Sequence, residues 1–205
     1  MAKKICWGIF ALIILVMGVR VVYVNATYPN ARFKTVDSSE EMKYRDCSIK
    51  IDNVTYYSKS QWSKYAKEQG FELEEDKHKI QYFNNINRDA GYEYLVSYDP
   101  ESDYYVLTME VTVRNDADTD VSFYYRELIN IVQSKMTGSE NLDSYYFALV
   151  NNMKTEESSQ CKLKAGEKKT MTYIYVTNER KPKLYAQIID IKGYQLMKLN
   201  IEDKQ

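Results

Sequence analysis

Residues 104–115 read YYVLTMEVTVRN, and this stretch decides the fold. Its apolar residues occupy every second position, as they do along one side of an extended chain. They are Tyr105, Leu107, Met109, Val111 and Val113. The positions between them are mostly polar, with Val106 as the exception. This period of two, rich in β-branched residues, predicts the central strand of an antiparallel sheet with one face on a core.

Similar short runs recur along the chain between turn-forming residues. One segment departs from the pattern: residues 58–69 have helical spacing, with an apolar face and a glycine C-cap at Gly70. The sequence therefore predicts a mainly β protein, an antiparallel β-sandwich with one short helix. The other expected strands are residues 45–57, 92–98, 121–125, 128–133, 145–150, 170–176, 184–191 and 195–201.

Residues 1–26 predict a retained membrane anchor. An apolar run over residues 5–24 would rise about 30 Å as a helix, the thickness of one bilayer core. Aromatic residues near both ends suit the interfaces, and an arginine near the outer end can extend to the headgroups. Two lysines before the run indicate a cytoplasmic N-terminus, with the rest of the chain outside the cell. The aromatic residues are Trp7 and Tyr23, the arginine is Arg20, and the lysines are Lys3 and Lys4.

A cleaved signal peptide ending at residues 24–26 is the alternative, but the apolar run is closer to spanning length than to a signal-peptide core. Cys6 lies at the start of the run, where it is badly placed for a lipoprotein anchor. The remaining chain divides into a polar stalk, residues 27–41, and one extracytoplasmic domain, residues 42–205, long enough for a full core.

The composition of the domain limits its partners. Removing Lys3, Lys4 and Arg20 lowers the 28 basic residues to 25, against 29 acidic ones, and no basic patch stands out. Nucleic acid is therefore not an expected partner, whereas a membrane and a protein at the cell surface are. Cys47 and Cys161 remain outside the anchor and are compatible with one disulfide or with two buried free thiols.

An Asp-rich turn after the central strand offers a candidate metal site. Asp116, Asp118, Asp120 and Glu127 match positions one, three, five and twelve of a calcium loop. Val121 stands where that loop needs glycine, and the residues after it alternate as in a strand. We therefore expect a solvated turn between two strands, with no metal and no other cofactor.

Catalytic chemistry has little support in the sequence. His78 is the one histidine, it lies in a charged loop, and no glycine-rich phosphate loop occurs. Carboxylate pairs at residues 40–41, 74–75 and 156–157 lie in charged segments, where solvation is the default.

The 20 tyrosines include adjacent pairs at residues 56–57, 104–105, 124–125 and 145–146. In a strand one member of each pair points outward, which suits half-buried β-surface or an aromatic platform for a protein or glycan.

Two short motifs carry a family resemblance. Residues 111–115, VTVRN, are a strand ending in Asn, and residues 163–167, LKAGE, precede a Tyr-rich strand. Residues 44–57, followed by a short Trp/Tyr helix, are similar too. Together they resemble uncharacterised, membrane-anchored, immunoglobulin-like (telokin-like) extracellular proteins of Gram-positive bacteria. The resemblance implies a fold and a cell-surface location, and no known activity.

The sequence thus predicts a single-pass membrane protein with an extracytoplasmic immunoglobulin-like sandwich. We expect a non-catalytic binding or adaptor module with a protein partner. The alternatives are a glycan- or small-ligand-binding domain that uses exposed tyrosines and, with less support, a carboxylate-dependent hydrolase.

Overall fold

The computed structural model describes residues 14–20, 22–23, 33–73, 103–133, 139–154, 157, 159–180, 183–190 and 193–203. Residues 14–20 and 22–23 are helical, and we call them the N-terminal helical segment. The described residues contain three further short helices: α1 (Lys59–Glu68), α2 (Tyr125–Leu128) and α3 (Ser144–Val150). The strands are β1 (Phe33–Val36), β2 (Met42–Tyr44), β3 (Cys47–Ser58), β4 (Tyr105–Asn115), β5 (Val121–Tyr124), β6 (Asn130–Gln133), β7 (Ser139–Glu140), β8 (Gln160–Leu163), β9 (Lys168–Thr177), β10 (Leu184–Asp190), β11 (Gly193–Lys198) and β12 (Glu202–Asp203).

The central-strand prediction is confirmed. β4 lies between β3 and β9 and pairs with both in antiparallel register. This sheet has the order β12-β3-β4-β9, with β2 also on β3, and we call it the first sheet. A second five-stranded sheet has the order β1-β11-β10-β6-β7, and β5 pairs with β8 in a short ribbon. One hydrophobic core contains buried residues from both sheets, which makes the domain a β-sandwich.

The predicted core face is confirmed as well. Leu107, Met109, Val111 and Val113 share this core with residues of the two flanking strands. The flanking residues are Ile49, Ile51, Met171 and Tyr173. All eight side chains are at most 5% exposed.

A second, smaller core lies on the opposite face of the first sheet and explains Val106. Val106 packs there with Trp62 of α1, and both side chains are completely buried. Tyr57 belongs to the same cluster, whereas its neighbour Tyr56 belongs to the main core. The expectation that one tyrosine of this pair points to solvent is therefore wrong, because the sheet is covered on both faces at this end.

Helix α1 begins and ends with local signals that the sequence carries. Ser58 Oγ accepts the Gln61 N–H at 3.3 Å, and Gln61 Oε1 accepts the Ser58 N–H at 2.8 Å, which forms a capping box. At the other end Gly70 has φ +75° and the Phe71 N–H donates to Ala66 O at 2.8 Å. This is a Schellman ending, so the predicted glycine C-cap is confirmed.

Three expectations about the elements need correction. The strand expected through Tyr125 ends at Tyr124, and α2 follows it. Residues 145–150 are helical, because the Asp143 side chain accepts the Tyr146 N–H at 2.9 Å and caps α3. The sheets are mixed, since β1 pairs with β11 and β12 pairs with β3 in parallel register.

The ends of the predicted domains also differ. Part of the expected stalk, Phe33–Val36, is a strand of the second sheet, and Val36 is 1% exposed. A short polar-flanked strand that pairs with a partner far along the chain has no local signature. The strand expected at residues 92–98 lies outside the described residues. As far as the chain is described, none of its helices combines the length and the apolar character needed to cross a membrane.

Removing core volume from β4 should destabilise the whole sandwich. Met109→Ala should lower the free energy of unfolding by about 2–5 kcal/mol, because it deletes a fully buried side chain at the centre of the main core. The matched control is Thr112→Ala, on the opposite face of the same strand in an exposed hydrogen bond with Thr170. Urea unfolding measures both changes, and equal losses for the two variants would contradict the assigned faces.

Candidate functional site

The two motifs that carry the family resemblance meet at one end of the sandwich. Asn115, at the end of β4, is 1% exposed. Its side-chain amide donates to Thr119 O at 2.8 Å and Lys164 O at 3.0 Å, and its Oδ1 accepts the Ala117 N–H at 2.9 Å. Its main-chain N–H donates to Glu167 O at 2.9 Å. Asn115 therefore joins the β4–β5 turn to the β8–β9 turn.

A polar network surrounds this junction on the surface. Asp116 accepts hydrogen bonds from Lys43 at 2.8 Å, from Arg114 Nε at 2.7 Å, and from the Ser48 hydroxyl. Arg114 also pairs with Glu41 at 3.2 Å. These contacts, the bond from Lys43 first, hold the pKa of the Asp116 carboxyl far below its usual range. The network ties β2, β3 and β4 to the start of the Asp-rich turn.

The Ser48–Lys43 contact in this network does not make a nucleophile. The Ser48 hydroxyl donates its proton to Asp116 and accepts from Lys43 and from Arg114, the latter at 3.2 Å. Lys43 Nζ donates hydrogen bonds to Ser48 and to Asp116, whereas a base beside a nucleophile accepts the hydrogen bond of that nucleophile. The network is therefore charge-balanced scaffolding between strands.

The structure does not bring the candidate calcium ligands together. The Asp116 carboxylate forms ion pairs with Lys43 and Arg114, and Asp120 Oδ1 accepts a hydrogen bond from the Ala165 N–H at 3.3 Å. Glu127 lies on α2, beyond the extended strand β5. Among the described residues no three acidic, histidine or cysteine side chains form a group that could hold a metal ion. His78 and residues 74–75 lie outside the described part of the chain.

The two domain cysteines are buried free thiols in the main core. Cys47 is the first residue of β3, and Cys161 lies on β8. Burial is the main cause that raises the pKa of each thiol. Neither is therefore set up as a reactive nucleophile, because the thiolate is the reactive form.

A groove provides the better candidate site. Its volume is about 610 Å3, within the range of small-ligand and peptide sites. It is open to solvent and combines two tyrosines, two amides, one guanidinium and one carboxylate. It is lined by Tyr44, Tyr124, Arg126, Glu127, Asn130, Asn141, Ser159 and Ile189, and we call it the β2–β10 groove.

Exposed apolar surface concentrates at this groove. Within the described part of residues 33–203, the exposed large apolar side chains are Tyr124 and Ile189, at 53% and 45% exposure. Both line the β2–β10 groove. Tyr124 is the exposed member of its pair, since Tyr125 is 1% exposed. Arg126, Glu127 and Asn130 follow Tyr124 in the same segment, and the other lining residues come from distant parts of the chain.

The membrane-anchor residues are described in part. Arg20 and Tyr23 lie in the N-terminal helical segment and are exposed, whereas Trp7 lies outside the described residues. The apolar residues of the segment are exposed by 56% to 68%: Ile14, Leu15, Val16, Met17, Val19, Val22 and Tyr23.

Acid should weaken the contribution of Asp116 to stability. Its pKa is lower in the folded chain than in the unfolded one, so the stabilisation is present above about pH 4 and is lost as the pH falls. Wild type should exceed Asp116→Asn in stability most at pH 7, and the difference should narrow below about pH 4. Urea unfolding at several pH values, with Asp118→Asn as the control, tests this. A pH-independent difference would refute the assigned role.

The thiols should be inaccessible in the folded protein. Cys47 and Cys161 should react slowly with a thiol reagent until the chain unfolds, because both are buried. In denaturant without reductant, all three cysteines of the chain, Cys6 included, should react. Titration of one thiol instead of three would show that Cys47 and Cys161 are joined in a disulfide.

Three solved structures from Gram-positive bacteria are similar to this chain. A conserved hypothetical protein from Bacillus anthracis is 16% identical, with 72% of this chain and 84% of that one covered and a TM-score of 0.42. The yjhA protein from Bacillus subtilis is 14% identical, with 80% and 98% covered and a TM-score of 0.40. An uncharacterised β-sandwich protein from Clostridium difficile 630 is 8% identical, with 82% and 97% covered and a TM-score of 0.41. No curated protein matches the chain.

A family model described as "Domain of unknown function (DUF5068)" matches residues 45–192. The matched range includes the Asn115 junction and every residue of the β2–β10 groove except Tyr44. Most of the chain is thus accounted for by one family, and the protein belongs to the DUF5068 family.

Proposed function

We propose that this protein is a non-catalytic binding module, tethered to a membrane, whose partner occupies the β2–β10 groove. The observation that carries the proposal is the coincidence of Tyr124 and Ile189, the exposed large apolar side chains of the described domain, in that groove. Aromatic and aliphatic side chains at a concave site supply contact area that is covered when a partner binds. Asn130 and Asn141 beside them can orient a polar partner through hydrogen bonds.

The groove chemistry favours binding over hydrolysis. Glu127 is the one carboxylate among the described residues that line it. A glycosidase-like reaction needs two carboxyl groups facing each other across the bond to be cleaved. Nucleophilic catalysis needs a base beside the nucleophile, and the described lining contains no histidine, lysine or cysteine.

The N-terminal helical segment supports the tether. Apart from Arg20 at its outer end, its large side chains are apolar and exposed, which is costly in water and favourable in a bilayer. A membrane tether confines a weakly binding groove close to membrane partners and raises its effective concentration. The proposal therefore places the sandwich on the extracytoplasmic side, following the lysines before the apolar run.

We also propose that the sandwich is immunoglobulin-like, in the telokin-like group. Two sheets around one core support this, as does a strand order that is not sequential, with β4 beside β9 and β10 beside β6.

A glycan or small polar ligand is the second candidate. The exposed ring of Tyr124 and the two amides of Asn130 and Asn141 line the same groove, and sugars are bound by aromatic faces combined with planar hydrogen-bonding groups. A protein partner remains the first choice, because an exposed aliphatic side chain, Ile189, suits an apolar contact better than a hydroxyl-rich one.

Groove substitution should abolish partner capture without unfolding the domain. In crosslinking pull-downs from membranes of the source cells, the double variant Tyr124→Ala, Ile189→Asn should recover at least about tenfold less partner than wild type, because hot-spot residues dominate binding. The matched control is Lys64→Ala on α1, a surface position away from the groove, which should behave as wild type. Circular dichroism checks that each variant is folded.

The tether and the absence of catalysis are tested in the same system. Deleting residues 1–26 and exporting the domain by another route should weaken the cellular phenotype, because the local concentration falls. Asp118→Asn, outside the groove, should leave partner capture intact. Unchanged capture by the groove double variant would overturn the binding-module proposal.

A further inference from the structure

Among the described residues, part of one edge of strand β10 beside the groove has no neighbouring strand. β10 pairs with β11 along its length, from Tyr185 to Asp190. On its other side it pairs with β6 only from Leu184 to Gln187, which lies opposite Asn130. Asn130 is the first residue of β6, so the described residues provide no strand beside β10 after Gln187.

The direction of the main-chain groups follows from one hydrogen bond. The Leu199 N–H donates to Leu184 O at 3.0 Å, which makes these two residues a hydrogen-bonded pair between β10 and the chain after β11. In an antiparallel ladder the main-chain groups of successive residues point to alternate sides. The main-chain groups of Ile188 therefore point toward β11. The N–H and C=O of Ile189 point to the β6 side, where no residue of β6 lies opposite them.

This edge belongs to the β2–β10 groove. Ile189 and Asn130, which mark the open end of β10 and the start of β6, both line it. The Ile189 side chain is 45% exposed, on the face opposite the buried Ile188. Within the described part of the chain, the groove thus combines a main-chain donor and acceptor that have no strand opposite them with an adjacent apolar side chain, and Tyr124 adds an exposed ring.

The charges of the groove select against strongly charged ligands. Arg126 and Glu127 are the charged side chains among the described residues that line it, one of each sign. A polyanion or a polycation would gain no net attraction there. A peptide backbone is neutral and carries one donor and one acceptor per residue, which matches an open strand edge in both charge and hydrogen bonding.

We propose that the β2–β10 groove binds an extended peptide segment of a protein partner by strand addition, with main-chain pairing to Ile189 and side-chain contacts to Tyr124. This inference rests on the proposed function and narrows its partner to one kind. Strand addition gives affinity through main-chain hydrogen bonds and selectivity through alternate side chains. A saccharide has no peptide main chain, so it cannot form the ladder of N–H···O=C bonds that a strand edge offers.

The test begins with a display library of random linear peptides selected on the purified full-length chain in detergent. A selected peptide is synthesised, and its affinity is measured by fluorescence polarisation. The peptide should bind about threefold to tenfold more weakly to Ile189→Pro, because proline removes the groove-facing N–H. The variant should stay folded, since a strand tolerates proline where its N–H lies outside the ladder.

Matched variants separate the main-chain contact from the side chain. Ile189→Val keeps the N–H and a β-branched side chain, so it should bind as wild type does. Ile188→Pro removes an N–H from the ladder with β11 and should destabilise the sandwich instead. Should Ile189→Pro fail to fold, N-methylation along the peptide gives the same information on the wild-type chain: affinity should fall at alternate positions only.

The outcomes distinguish this inference from the proposed function. Failure to select any peptide, or a selected peptide insensitive to N-methylation at every position, overturns strand addition. Binding of an oligosaccharide array to wild type, lost in Tyr124→Ala, overturns it in favour of the glycan alternative. In each of these cases partner capture that still depends on Tyr124 and Ile189 leaves the binding module standing.

Discussion

The buried amide of Asn115 is the constraint on which this sandwich depends. At this residue the chain leaves the first sheet, and close by it two turns from distant parts of the sequence meet. An asparagine can donate two hydrogen bonds and accept others from a single planar group, and here it satisfies carbonyls on both turns and the N–H of Ala117. An apolar side chain would leave these hydrogen bonds unmade and would remove the connection between the two turns.

The first sheet is covered on both faces where α1 and α3 lie against it, and this accounts for the large number of tyrosines. The main core takes Tyr56 and Tyr175, and the Tyr175 hydroxyl donates to Ile129 O at 3.0 Å. The second core takes Tyr57 and Tyr146, and the Tyr146 hydroxyl lies 3.2 Å from that of Tyr104. Tyrosine provides a large apolar ring and a hydroxyl that can be satisfied by a carbonyl or by another hydroxyl. Most described tyrosine pairs therefore serve packing, and Tyr124 is the exposed tyrosine within the described part of residues 33–203.

The charged groups nearest the junction make strand-to-strand contacts. Lys43 and Arg114 both pair with Asp116. The groove differs, because it leaves the apolar side chains of Tyr124 and Ile189 in water. Exposed apolar side chains at an open strand edge are a risk for a β protein, since another strand can add there.

The sequence by itself determined the central strand, its core face and the ends of α1, because these depend on alternation and on capping residues within a few positions of one another. It did not determine the mixed sheets or the two-sided burial of Tyr57, because each depends on a partner far away in the chain. The apolar run at residues 145–150 obscured a local signal, the Asp143 cap that begins a helix there. The groove was decided by the tertiary structure: it joins residues 124–130 to residues from distant parts of the chain, beside the part of β10 that extends past the first residue of β6. Local patterns specify what one segment can do, whereas a site built between segments exists only after the sheets have packed.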